Sequence, residues 1–349
     1  LIRYLSNLIL LIYYEVKLFS IYLYKIEIMK SKKVLITGAN GLVGNYMVKK
    51  CIDRGAIVTA VDIHEPHNQV EKYKDRNYQF IKADLREFSN CKKVVEGQDI
   101  IFHIAGVKGS PKRAMEQPAD YFVPMLQFNT NMMEAARLED VEWYVYTSTV
   151  GVYQPAEVFY EDDVWKTFPS EKDKYAGWAK RLGELQAEVY SVSYDWNKTS
   201  IVRPANIYGR HDNFGPESTV IASLIKRLFG EKEHPLVCWG DGSPIRDFIY
   251  AGDIADGIIQ AYEQKLTQPI NLGSGTGVTI KELAETLVEI YEEMYGVKVQ
   301  IEWDPTKPNG DTKRLMSTER AESFGIKQQV SLKEGLKETI DYYLNEHNK

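Results

Sequence analysis

The sequence predicts an α/β fold, a doubly wound parallel sheet with a smaller α/β lid toward its carboxyl-terminal end. Three observations carry that expectation. Short apolar runs at Val34–Thr37, Ile57–Asp62, Tyr78–Ala83, Asp99–Gly106, Val141–Ser148 and Thr199–Arg203 alternate with helical segments, as in sheets covered on both faces. The first run breaks into Gly38-x-x-Gly41-x-x-Gly44 and closes a strand–helix–strand unit on Asp62. From about Pro204 the alternation loosens, although Ile270–Leu272 still reads as a further strand of the same sheet.

Composition sets the outer limits. The chain has 349 residues, 44% hydrophobic and 26% charged, which suits a globular protein with a large core. A net charge of -6 gives no general attraction to nucleic acid or to an anionic membrane, so neither partner is expected. Cys51, Cys91 and Cys238 lie far apart and form neither a metal pattern nor a disulfide framework. They point to a reducing cytoplasm. The scattered histidines propose no metal site.

Residues 1–28 differ in character from the rest of the chain. They are rich in Leu, Ile and Tyr, and charges interrupt them at Arg3, Glu15, Lys17, Lys25 and Glu27. The uncharged run Tyr4–Tyr14 is too short to span a bilayer and carries no small-residue cleavage site. They read as an upstream extension outside the fold. The expected division is then 30–203 for one domain, with a late strand near 270–272, and 204–349 for a second.

The unit from Lys33 to Asp62 has the length and order of a dinucleotide site. Glycines at 38, 41 and 44 let the backbone approach a pyrophosphate. The helix from about Leu42 to Arg54 offers the amides of Leu42, Val43 and Gly44, with a favourable dipole. Asp62 stands where a carboxylate accepts ribose hydroxyls and repels a 2′-phosphate, so this Rossmann-like unit is expected to prefer NAD to NADP.

In order, His64–Asn77 reads as a polar surface helix or loop, and a helix around Cys91–Glu96 precedes the fourth strand. Residues 107–118 read as a loop, 119–138 as a long helix, and 173–194 as another with Trp178, Leu182, Leu185 and Val189 facing the core. Beyond Pro204, helices are expected at Thr219–Phe229, 252–263, 279–294 and 331–345, and strands at Leu236–Trp239 and Val297–Trp303. Pro305–Asp311 is a polar turn.

Chemistry concentrates after the fifth strand, in Tyr146-Thr-Ser-Thr-Val-Gly-Val-Tyr153, and in Lys174-Tyr-Ala-Gly-Trp-Ala-Lys-Arg181. Taken alone, Thr-Ser-Thr is ordinary strand composition and Lys180 an ordinary lysine. With Gly38/Gly41/Gly44, Asp62, Asp84-Leu85, His103-Ile-Ala105, Arg203-Pro-Ala-Asn206-Ile-Tyr-Gly209, Trp239-Gly-Asp-Gly-Ser-Pro-Ile-Arg246-Asp-Phe-Ile and Asn271-Leu-Gly273, the pattern resembles the extended short-chain dehydrogenase/reductase family. Most members act on nucleotide sugars. Lys307-Pro-Asn-Gly-Asp-Thr-Lys-Arg314 and His211-Asp-Asn-Phe214 resemble the GDP-L-fucose synthase branch.

The resemblance implies NAD held by Gly38, Gly41, Leu42, Val43, Gly44, Asp62, Asp84, Leu85, Ala105, Thr147 and Lys180. It implies a GDP- or UDP-sugar held by Ser148, Asn206, Arg246 and Arg314. Catalysis falls to Thr149, Tyr175 and Lys180: a tyrosinate takes the C4 hydroxyl proton, hydride leaves for NAD, and the lysine lowers the tyrosine pKa. Helices 119–138 and 173–194 match the family's dimer helices, so a homodimer is expected.

Three departures qualify the mechanism. The family spaces Tyr and Lys four apart, whereas Tyr175 is five before Lys180 and turns roughly 140° away from it. Either a one-residue bulge restores the pair, or Thr149 and a water act instead. Val150-Gly151 replaces the Asp-Glu of the dehydratases, which argues against a 4,6-dehydratase. Gly151 and Thr219 replace the cysteine and histidine that epimerise C3 and C5 in GDP-L-fucose synthase. Redox at one sugar carbon remains, as a 4-epimerase or a 4-dehydrogenase or reductase. A non-catalytic NAD-binding regulator and a reductase of a non-nucleotide ketone are the alternatives.

Overall fold

The computed structural model describes residues 28–66, 73, 77–107, 116–307 and 309–347. Of the expected extension 1–28, residues 1–27 lie outside the described residues, as do most of the polar stretch before Asn77 and 108–115; Ile28 itself packs against the core cluster.

The first half runs β1 (Lys33–Thr37), α1 (Leu42–Asp53), β2 (Ile57–Asp62), β3 (Tyr78–Lys82), α2 (Phe88–Val95), β4 (Ile100–His103), α3 (Ala119–Leu138), β5 (Trp143–Thr147), α4 (Lys174–Tyr194) and β6 (Thr199–Pro204). The second half runs β7 (Asn206–Tyr208), α5 (Val220–Ile225), β8 (Leu236–Trp239), β9 (Ile245–Tyr250), α6 (Ala251–Glu263) and β10 (Ile270–Leu272). It ends with β11 (Gly277–Thr279), α7 (Ile280–Tyr295), β12 (Ile301–Asp304), β13 (Lys313–Arg314), α8 (Glu319–Ser323) and α9 (Leu332–His347).

Seven parallel strands form the main sheet in the order β3-β2-β1-β4-β5-β6-β10. Strand periodicity divides the core between its faces. Val34 and Ile36 pack with α1 and α6, whereas Leu35 packs with α2, α3 and α4. The strand order reverses between β1 and β4, which opens the crevice where such sheets bind ligands. A third apolar cluster joins α5, α7 and α9 around Phe229, Leu287 and Leu336. β10 returns to the main sheet as expected.

Three of the expected elements differ in the structure, and the short strands β7, β9, β11 and β13 and helix α8 were not expected. The helix expected to Phe229 changes at Lys226 to a wider π turn ending at Gly230. The strand expected from Val297 begins at Ile301, where pairing with β8 starts. On α4 the expected faces are reversed. Leu182, Leu185 and Val189 are exposed, and Trp178 is half-buried. The buried face carries Gly177, Ala179, Lys180, Arg181, Gly183, Glu184 and Ala187. Hydrophobicity misassigned the helix because its inner face serves a polar site.

Glu184 explains part of that inversion. Its carboxylate takes two hydrogen bonds from Arg203, at 3.0 and 2.6 Å, and both side chains are 1% exposed. Arg203 also donates to the Glu161 carbonyl and the Tyr153 hydroxyl, which in turn donates to Asn271. The network ties α4, β6, β10 and the segment after β5 together under the site. Removing one partner leaves a buried charge uncompensated, so Glu184→Ala is expected to cost about 3–5 kcal/mol in urea unfolding. Glu184→Gln, which keeps the shape and one acceptor, is expected to cost less.

Candidate active site

The crevice is built from backbone that carries no side chains. Gly38 has φ +67°, and a Cβ there would lie 2.9 Å from Ala105 Cα. A Cβ on Gly44 would lie 2.1 Å from the Gly38 carbonyl oxygen. Only glycine lets the turn after β1 sit against both the loop after β4 and the first turn of α1. Gly41 caps α1 without a side chain, and no acidic residue occupies the first turn. The amides of Leu42, Val43 and Gly44 therefore start a helix whose end suits an anion.

Asp62 stands at the rim, fixed by the amides of Asn40 and His64, each 3.1 Å from one carboxylate oxygen. Asp84 is paired with Arg86, whose hydrogen bond holds that carboxyl below its ordinary range. Leu85 is buried in the cluster beneath it. Thr37 Oγ1 accepts the amides of Ile104 and Ala105, which sets the loop beside Gly38.

His103 has no role of its own in the sequence pattern, and the structure makes it a brace. It is fully buried between Thr37 Oγ1, at 2.9 Å, and Asn129 Oδ1, at 3.0 Å. Burial, with the Lys180 charge adding to it, pushes its pKa down to about 3. It stays neutral and is not an acid–base group at ordinary pH.

Lys180 Nζ donates to the carbonyls of Thr147, at 2.8 Å, and Ala105, at 3.3 Å. An ammonium has three protons, so one donor is left for a ribose hydroxyl. Thr147 Oγ1 and Asn40 Oδ1 are buried with no hydrogen-bond partner. Two orphaned polar atoms, an open helix N-terminus and the Asp62 carboxylate fit a dinucleotide. Gly38, Gly41, Leu42, Val43, Gly44, Asp62, Ala105, Thr147 and Lys180 would hold it, and it would supply a hydride acceptor.

The expected catalytic trio comes together only in part. Thr149 begins the turn Val150–Val152 and accepts the Gly151 amide at its hydroxyl oxygen, leaving the O–H to donate. Tyr175 does not join it. α4 is regular helix throughout, with no bulge to change the phase, and Tyr175 is 43% exposed while Lys180 is buried. Ala176 takes the place one turn before Lys180 and packs on the core cluster that includes Tyr146 and Ala105. Ser148 is also corrected. Side chains alternate along a strand, so Ser148 points inward and donates to Glu184.

The residues expected to hold the nucleotide sugar, Asn206, Arg246 and Arg314, lie on neighbouring strands. β9 and β13 are parallel, with Arg246 and Arg314 as direct register partners. Asn206 Nδ2 donates to the Asp247 carbonyl and so holds the strand bearing Arg246. Arg246 itself donates to the carbonyls of Ile245 and Asp311. Burial pushes its pKa down to about 10, and the adjacent Arg314 adds to that. Burial also opposes the Arg314 charge, but Asp173 and Asp311 outweigh it.

Sequence reading missed Asp173. Its Oδ2 lies 2.6 Å from Arg314 Nη2, and it sits at the start of α4 without capping it. A Cβ on Gly151 would lie 3.2 Å from Asp173 Cβ and 3.5 Å from Thr149 Cγ2. The available signal was its spacing: Asp173, Ala176 and Lys180 share one helix face. Lys180 is thus tied to Thr147, and Asp173, on the same helix face, is tied to Arg314 beside Arg246.

A Rossmann-like sheet with a glycine crevice and a paired-arginine lid defines a dinucleotide-dependent enzyme of the α/β class. The model of the NAD dependent epimerase/dehydratase family matches residues 34–273, and the chain belongs to that family. It is 29% identical to GDP-L-fucose synthase 1 of Arabidopsis thaliana, over 90% of this chain and 94% of that protein. UDP-glucose 4-epimerase of Thermotoga maritima, solved with UDP-glucose, superposes with a TM-score of 0.78 at 25% identity, covering 90% of this chain and 99% of that one. The Thermus thermophilus UDP-glucose 4-epimerase, solved with NAD, gives 0.74 at 25%, covering 89% and 98%. No described helix is long and apolar enough to cross a membrane.

Burial pushes the Lys180 ammonium down to about 7 from its ordinary 10.5, with Glu184 opposing. Between those values the unfolded chain holds a proton that the folded chain lacks. Stability of the cofactor-free protein is therefore expected to rise from pH 7 toward pH 10 through this group. Calorimetry of wild type against Lys180→Met checks it, the variant losing that rise.

Proposed function

We propose that the chain is an NAD-dependent nucleotide-sugar epimerase or oxidoreductase that transfers hydride at C4 of a GDP- or UDP-linked sugar. The observation that carries this reading is the register pairing of Arg246 with Arg314, whose guanidinium contacts Asp173 on the same helix as the buried Lys180. A diphosphate suits two adjacent guanidiniums. The sugar attached to it then reaches the Thr149 hydroxyl.

Asp62 supports NAD over NADP, because a fixed carboxylate accepts hydroxyls and repels a 2′-phosphate. The names of the relatives support both bases, GDP in the fucose synthase and UDP in the epimerases. Gly151, half of the Val150-Gly151 pair, has no proton to transfer, and no cysteine or histidine stands at Gly151 or Thr219. The reaction is therefore assigned to one carbon, with neither dehydration nor epimerisation at C3 and C5. Three buried free thiols suit a cytoplasmic protein.

Purified protein is expected to carry NAD(H) and to change absorbance near 340 nm with a GDP- or UDP-hexose. Absence of any change across both series overturns the reading. Arg246→Ala is expected to raise KM about 10- to 100-fold, from the roughly 1.5–3 kcal/mol of a charged hydrogen bond. Unchanged KM with a slow ketone substrate points instead to a reductase without a nucleotide. The displaced Tyr175 favours one competitor, an NAD-binding regulator, which binds NAD(H) but turns over no sugar.

The exposed apolar stripe of α4, Leu182, Leu185, Val189 and Val192, continues to Phe168. It supports a homodimer through α3 and α4, because such stripes are uncommon on monomers. Leu185→Asp with Val189→Asp is expected to halve the mass in sedimentation without loss of helix.

A further inference from the structure

We propose that Asp173 is the acid–base residue of the sugar redox step, taking the role that the family's helix tyrosine leaves open here. The proposal rests on the nucleotide-sugar reading above and deepens it. Three observations converge on this carboxylate. The position one turn before Lys180 is a methyl group, Ala176, and Tyr175 points to solvent. One turn further along the same face stands Asp173, beside Thr149 and Gly151. Asp173 also occupies the N-cap of α4 yet makes no capping hydrogen bond, and its carboxylate turns to Arg314 instead of the helix amides.

Gly151 makes room for this arrangement. Its missing side chain leaves the space between Thr149 Cγ2 and the Asp173 side chain open, and a Cβ would meet Asp173 Cγ at 3.4 Å. Gly177 lets α4 approach, since a Cβ there would lie 2.3 Å from the Gly151 carbonyl. The two glycines let Asp173 pack beside the turn that carries Thr149, and in the proposed step the sugar hydroxyl lies between the carboxylate and the Thr149 hydroxyl.

Arg314 supplies the coupling. In the structure it contacts Asp173 at 2.6 Å and also pairs with Asp311. The Asp173 contact lacks hydrogen-bond geometry, and Oδ2 is otherwise buried without a partner. A diphosphate arriving beside Arg246 competes for the same guanidinium and frees Asp173. The base is thereby released only when a nucleotide is seated.

The step balances. Thr149 donates to the sugar C4 oxygen and orients it. Asp173 accepts the proton as the C4 O–H bond breaks. The C4 hydrogen leaves with its electron pair to oxidised NAD, so the sugar becomes a ketone, two electrons poorer, and NADH forms. On return, Asp173 gives the proton back to the oxygen as hydride re-enters C4.

The test uses the full chain with its NAD(H), and Asp173→Asn, Asp173→Gly and Tyr175→Phe variants. Turnover is followed at 340 nm with the nucleotide sugar that the wild type accepts. Asp173→Asn is expected to lose about 10²- to 10⁴-fold in kcat while still holding NAD(H). Asp173→Gly is expected to regain turnover with added formate, which a merely structural role does not allow. Tyr175→Phe is expected to stay within about twofold of wild type, because an exposed ring on the far helix face has no part in the step.

A separate arm needs no turnover. GDP and UDP alone are titrated by calorimetry, and Asp173→Asn is expected to bind one of them about tenfold more tightly, because Arg314 then faces one carboxylate, Asp311, instead of two. Retained kcat in Asp173→Asn, or lost kcat in Tyr175→Phe, overturns the proposal. If wild type turns over no nucleotide sugar, the broader reading fails instead. The nucleotide arm still decides the Asp173 coupling, and equal affinities overturn it.

Discussion

The close seating of α4 on the turn after β5 is the contact on which the site depends. It exists because two glycines on one helix face remove the side chains that would block it. At Gly177 a Cβ would strike the Gly151 carbonyl, and at Gly183 it would lie 2.3 Å from the Tyr146 hydroxyl. With the helix this close, Lys180 reaches two carbonyls at the ends of β4 and β5, and Glu184 reaches Ser148 and Arg203. A helix held one side chain farther out would deliver none of these groups.

The same closeness demands charge compensation. Buried charges are costly unless they are paired and hydrogen-bonded. Glu184 is answered by Arg203, and Arg314 by Asp173 and Asp311. Lys180 is answered mainly by carbonyl dipoles, which is why burial lowers its pKa so far. The structural pair and the functional lysine thus lie on one helix face, under opposite demands. One is fully satisfied and rigid, and the other keeps a donor for a ligand.

Much of the fold was legible in the residues. Parallel strands buried on both faces must be short apolar runs, and a glycine turn ending on an acid has few other uses. The strand order, and with it the crevice between β1 and β4, came from the structure. The inner face of α4 was not legible, because hydrophobic periodicity assumes that buried means apolar. Here the buried face is glycine, lysine, arginine and glutamate, and Leu182, Leu185 and Val189 face outward. Ser148 was misread for a related reason: a hydroxyl in a site motif looks like a ligand contact until strand alternation turns it inward.

By itself the sequence determined the dinucleotide unit, since Gly38, Gly41, Gly44 and Asp62 act through backbone and spacing within one local stretch. It also determined that Arg246 and Arg314 were present, but not that they are register partners on β9 and β13. Only the tertiary structure decided what stands opposite the cofactor crevice. Helix phase there is absolute, so one residue of spacing turns Tyr175 outward and leaves Ala176 in its place. Asp173 comes beside the turn that carries Thr149 only through the packing of α4 on that turn, which hydrophobic periodicity does not encode.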